Sequence, residues 1–150
     1  MLKGYVGITD YDWYSFLAKQ PKVDEVNFWK PSAKPFKALS QGDLFFFKLK
    51  APYNAIAGYG YFHGYEILPA GYAWELFGKM NGSEDFHTMK KLINSNRPKA
   101  SEISNGGSFD IGCVLLYAPV FFPQNQWVTM PNDMANEIVS GKGYDLSSGE

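Results

Sequence analysis

Asp10 and Asp12 stand two residues apart in Ile8-Thr9-Asp10-Tyr11-Asp12-Trp13, and two neighbouring carboxylates can hold Mg²⁺ or exchange protons. Their setting favours a structural role. Residues 4–8 form a short β-prone run, and the helix expected to follow through Trp13, Phe16 and Leu17 needs an acceptor at its start. Asp10 or Thr9 supplies it, and Asp12 then falls in the first turn, where the helix dipole favours a negative charge. The two histidines, His63 and His87, lie in separate expected elements and belong to neither HExxH nor a Cys/His cluster of zinc spacing. Cys113 is the one cysteine, set in the apolar run Ile111-Gly112-Cys113-Val114-Leu115-Leu116, which reads as a small buried hydrophobe. A P-loop, a dinucleotide fingerprint in strand-to-helix context and a GxSxG elbow are all missing. The chain is therefore read as non-catalytic, with no cofactor and no metal.

Residues suited to binding are more abundant. Aromatic residues make up 17% of the 150 residues, more rings than one small core needs, so some are expected to face a ligand. Asn27 carries an amide that offers both a donor and an acceptor to a base edge, with a turn cap as its structural alternative. Tyr59 and Tyr61 alternate along one expected strand and so share a face, either the interior of the fold or a ligand pocket. Net charge is only −1, but residues 19–50 hold seven lysines against Asp24, Glu25 and Asp43, a local excess of four positive charges. One basic region on a neutral protein suits phosphate contact. Lys30, Lys34, Lys37 and Lys48 are the candidates, with Lys142 an addition from the tail.

The elements that must position these residues follow from periodicity and turn signals. After Pro21 and a polar stretch, residues 25–29 precede Pro31 and Pro35, which bar a regular central strand across those positions and predict an irregular segment. Gln41-Gly42-Asp43 is a turn signal before an apolar strand at 44–49, and a second strand at 55–62 makes a hairpin with it, Gly58 and Gly60 marking a bulge or a close approach. Helices are expected at 69–77, stopped by Gly78, and at 83–94 with Ser83 as cap. Residues 97–110 predict an exposed loop, followed by strands at 111–116 and 120–122 and an edge at 127–129. One domain spans 1–150, with no apolar run long enough for a membrane span and no signal-peptide core, so a cytoplasmic protein is expected.

Asn27-Phe28-Trp29, the Lys/Pro stretch, Phe36-Lys37-Ala38-Leu39, Gln41-Gly42-Asp43, the aromatic strand and Ile56-Ala57-Gly58-Tyr59-Gly60-Tyr61 occur in an order that resembles the EVE branch of the PUA-like superfamily. The sequence is more similar still to the N-terminal domains that precede HNH nuclease domains in bacterial restriction enzymes. That pattern continues through Ala73-Trp74-Glu75-Leu76-Phe77-Gly78, residues 111–116, Phe121-Phe122-Pro123 and Ile138-Val139, Gly141-Lys142 and Tyr144-Asp145, covering nearly the whole chain. It departs from those enzymes in containing no His-Asn-His nuclease motif, so the nuclease is expected elsewhere, covalently or non-covalently associated.

The resemblance implies an α+β domain, a curved β-barrel of about five to six strands with flanking short helices. It also implies double-stranded DNA carrying a modified base as the partner, the base flipped into an aromatic pocket whose stacking offsets the cost of extrusion. Trp29 and Trp13 are the expected pocket walls, joined by Tyr59 and Tyr61, with Asn27, Asp10 and Thr9 as edge readers. Three alternatives stand beside it: an RNA-binding PUA-like module, a small-molecule or nucleotide sensor, and a metal-dependent hydrolase using Asp10 and Asp12.

Overall fold

A computed structural model describes residues 3–36, 39–97, 109–129 and 142–145. Strand β1 (Lys3–Thr9) leads through Asp10 into helix α1 (Tyr11–Ala18), and β2 (Glu25–Lys30) follows. Strands β3 (Leu44–Leu49) and β4 (Ala55–Pro69) form the expected hairpin. Helix α2 (Ala70–Phe77), a 3₁₀ turn (Gly78–Asn81) and helix α3 (Phe86–Ser95) come next, then β5 (Asp110–Phe121), β6 (Val128–Thr129) and β7 (Lys142–Asp145).

The sheet runs β2-β5-β4-β3-β1-β7, with β6 added on β4. β1 and β3 are parallel, and the other pairs are antiparallel. The fold is thus α+β on a mixed sheet, as expected. Its curvature can be read from the core. β2 and β3 are separated in the sheet by β5 and β4, yet the rings of Phe28 and Phe45 meet with centroids 4.6 Å apart. A Cβ on Gly7 of β1 would lie 2.9 Å from the Phe28 ring, so β1 and β2 also face each other across one interior. Trp13 of α1 fills that interior, fully buried and edge-on to Phe28 and Phe47 at 5.2 and 5.0 Å.

Several elements differ from their expected limits for physical reasons. Pro31 and Pro35 do not disturb β2, because the strand closes at Lys30, just before the first proline. β4 extends to Pro69 because β5 pairs with it from Gly58 to Pro69, absorbing two register shifts, and for the same reason the two short strands expected at 111–122 are one. A third shift lies opposite Gly58, where a Cβ would sit 2.3 Å from the Val120 carbonyl oxygen, so that glycine admits the neighbouring backbone. Ser83 does not cap α3; the helix begins three residues later, and Asp85 accepts from the Thr88 N–H at 2.8 Å. Asp10 occupies the N-cap position of α1 without a side-chain cap bond, its carboxylate being engaged elsewhere. The tail supplies β7, which pairs with β1 and was not expected. Most of the loop expected at 97–110 lies outside the described residues.

Candidate functional site

Asn27, Trp29 and Trp13 come together as the sequence suggested, but around a shared turn and not as an open pocket. Strand alternation sends Phe28 into the barrel and Asn27 and Trp29 to the opposite side, under the 3₁₀ turn. The Trp29 indole N–H donates to the Asn81 carbonyl at 3.0 Å, and the Trp13 indole N–H donates to the Asn27 carbonyl at 3.2 Å. Asn27 Nδ2 donates to Asn81 Oδ1 at 2.9 Å and to Cys113 Sγ at 3.4 Å. Asn81 in turn donates to the carbonyls of Ala73 and Gly78 at 3.2 and 2.8 Å. Both indoles are closed off, Trp13 at 0% and Trp29 at 7% exposure, so neither presents a face for stacking unless the turn moves.

Gly82 ends the turn at φ +89°, and a Cβ there would lie 2.2 Å from the Trp13 indole. Immediately after it, Ser83 is 2% exposed and its hydroxyl has no hydrogen-bond partner. Ser83 lines a cleft of about 460 Å³ between α1 and the Gly82–Leu92 region, with Asp12, Phe16, Gln20, Glu84 and Leu92 on its walls. Asn81 was not singled out in the sequence, and Ser83 was read there only as a helix cap. The Asn81-Gly82 pair, a strong turn dipeptide between two helices, was the available signal.

A second feature lies where β2 ends. Lys30 is half-buried, its ammonium 4.9 Å from the centre of the Phe36 ring, and burial followed by repulsion from Lys34 lowers its pKa. Neither lysine forms an ion pair among the described residues. Arg97 joins this edge, donating to the Pro31 carbonyl and lying 4.6 Å from the Phe109 ring.

The remaining expected residues are dispersed. Asp10 pairs with Lys50 at 3.0 Å and accepts from Asn96 Nδ2 at 2.8 Å, so it ties the start of α1 to the β3–β4 hairpin and the end of α3. Thr9 is buried beside it, its carbonyl accepting from the Lys50 backbone N–H. Tyr59 and Tyr61 share a face, but it is the outer face of the sheet, where they join Phe46, Tyr117 and Phe122 in a row of rings with centroids 5.6–6.3 Å apart. Lys48 is 1% exposed, which removes it from the surface expected of a phosphate contact. Lys142 lies in β7, its side chain outside the described residues, as is Lys37 altogether.

No family model matches the chain, and no curated protein matches it. Solved structures do. The ASCH protein of Zymomonas mobilis superposes with a TM-score of 0.59 over 96% of this chain and 89% of its own, at 8% identity. A tyrosine-to-phenylalanine variant of that protein gives 0.54 over 97% of both chains, at 10% identity. The fold is PUA-like. At this identity a PUA-like fold is what the likeness establishes, and function must come from the side chains. Among the described residues no three His, Cys, Asp or Glu side chains gather as a metal site, and no helix is long and apolar enough to cross a membrane.

Proposed function

We propose that this domain is a non-catalytic nucleic-acid reader that takes one modified base from a DNA duplex and so directs an associated HNH nuclease to modified DNA. The observation that carries nucleic-acid binding is the cationic edge where β2 ends: Lys30, its ammonium 4.9 Å from the Phe36 ring, and Lys34 have no ion-pair partner among the described residues, and Arg97 donates to the intervening Pro31 carbonyl. Such an edge suits a polyanion, and phosphate contacts of this kind orient a protein without reading sequence. The PUA-like fold supports a binding module over an enzyme, and the order of motifs along the chain supports the nuclease association.

Base capture needs a wall and an edge. Trp13 and Trp29 are sealed beneath the turn and present no face for stacking, while the cleft beside Ser83, lined by the Gly82 that packs on Trp13, is the open volume on the other side of that turn. A second reading, single-stranded RNA, is favoured by the outer-face row of the half-buried Tyr59 and Tyr61 and the exposed Tyr117, because accessible ring faces accept stacked bases of any sequence.

Fluorescence-anisotropy titrations over a salt series test the reading. Duplex binding is expected to weaken with salt, and the slope to flatten by about one for each of Lys30→Ala and Lys34→Ala. A slope unchanged in both variants contradicts the assignment.

A further inference from the structure

Ser83 presents an anomaly that the fold does not explain. A buried hydroxyl without a partner costs free energy, and such groups are normally satisfied. Its residue lines a cleft whose volume of about 460 Å³ falls within the range of about 300–1,000 Å³ seen for small-molecule sites. The walls combine two apolar side chains, Phe16 and Leu92, with the carboxylates of Asp12 and Glu84 and the amide of Gln20. That is the pattern of a heterocycle site: apolar surface for faces, a few polar atoms for edges.

The polar atoms also narrow the ligand. Ionised carboxylates only accept hydrogen bonds, and they repel phosphate. Glu84 is partly offset by Lys79 at 3.6 Å, and Lys19 is the cation on the lining, so the cleft stays rich in acceptors. An edge bearing an exocyclic amino group satisfies them, as an acidic side chain does when it accepts from cytosine N4. A uracil or thymine edge, with carbonyls flanking one N–H, satisfies them less well.

We infer that the cleft between α1 and the Ser83–Leu92 region binds one amino-bearing nucleobase, a cytosine or adenine type, with the Ser83 hydroxyl and the Asp12 carboxylate as edge contacts. This inference rests on the reader function above. It moves the base site away from the two indoles to the outer side of the turn that covers them. The chemistry is shared by a base in a strand and a free nucleoside, which the experiment separates.

Cytidine, adenosine and uridine are titrated into the full chain by NMR chemical-shift mapping, and a duplex with one extrahelical cytosine is titrated by anisotropy. Cytidine or adenosine is expected to bind at least about fivefold tighter than uridine, shifting signals on α1 and α3. Because the Ser83 hydroxyl makes no internal bond, Ser83→Ala should lower that preference about fivefold while leaving the melting temperature unchanged or higher. Asp12→Asn, which adds a donor to the edge, should move the preference toward uridine. Unchanged nucleoside preference in both variants, with Lys30-dependent duplex binding intact, overturns the cleft assignment and leaves the reader function standing. Nucleoside binding that depends on Ser83, without any duplex binding, supports the cleft with a free nucleoside as ligand and overturns the reader function instead.

Discussion

The Trp29 indole N–H and the Asn81 carbonyl lie 3.0 Å apart, and that one bond fastens the turn between the helices to the strand that carries the cationic edge. The same turn holds Asn27 by its side chain and packs Gly82 against Trp13. Any ligand in the adjacent cleft therefore meets a wall whose position is set by the barrel.

Asn81→Ala should destabilise the domain by about 2–4 kcal/mol, because it removes three side-chain hydrogen bonds and leaves the Asn27 amide, whose Oδ1 already lacks a partner, with only the weak Cys113 Sγ acceptor. Urea unfolding followed by tryptophan fluorescence measures it. A loss below about 0.5 kcal/mol would show that the hub does not hold the turn.

Gly82→Ala should cost about 2 kcal/mol or more, since the new methyl group meets a fully buried indole in a backbone conformation that disfavours side chains. Near-UV circular dichroism should register the displaced Trp13. An unaltered spectrum together with unaltered stability contradicts the packing described.

The Cys113 thiol is held up to about 11 by burial, with Glu66 adding to the effect and the Asn27 amide opposing it. The folded state thus keeps a proton that the unfolded chain releases from about pH 8.5 upward. Its contribution to stability is complete below that pH and is lost as pH rises toward about 11. Stability curves from pH 8 to 11 should fall for the parent chain and flatten in Cys113→Ala. Thiol labelling at pH 7.5 should require unfolding, and labelling of the folded chain at the rate of a free thiol would contradict the burial.

Much of this fold was legible because local signals agreed with long-range ones. The turn at Gln41-Gly42-Asp43 and the apolar run after it located β3 to the residue, and Gly78 ended α2 as a glycine at positive φ should. What could not be read depended on pairing partners. β4 and β5 are long because each is the other's ladder, and β7 exists because β1 has a free edge. The binding residues divide in the same way. Sequence brought Asn27, Trp13 and Trp29 to one place, since strand alternation and a helix face determine their directions, but burial by a turn 52 residues away is invisible to spacing. Lys48 illustrates the reverse, a charged residue whose strand position gives no sign that it is covered.

Lys30→Met and Lys34→Met should each weaken duplex binding severalfold while leaving any preference between bases unchanged, because a phosphate contact positions the strand and carries no base information. Parallel anisotropy titrations with two base identities check this. A change in base preference in either variant would move these lysines from the phosphate edge to the base site.

The most direct test of the account is a titration, at one fixed salt concentration, of the domain against matched duplexes that are unmodified or carry a single modified cytosine or adenine, with single-stranded RNA as competitor. The account predicts that one modified duplex binds at least about tenfold tighter than its unmodified match, and that RNA does not displace it at equal concentration. Equal binding to every duplex, or displacement by RNA, would contradict modified-base reading in DNA.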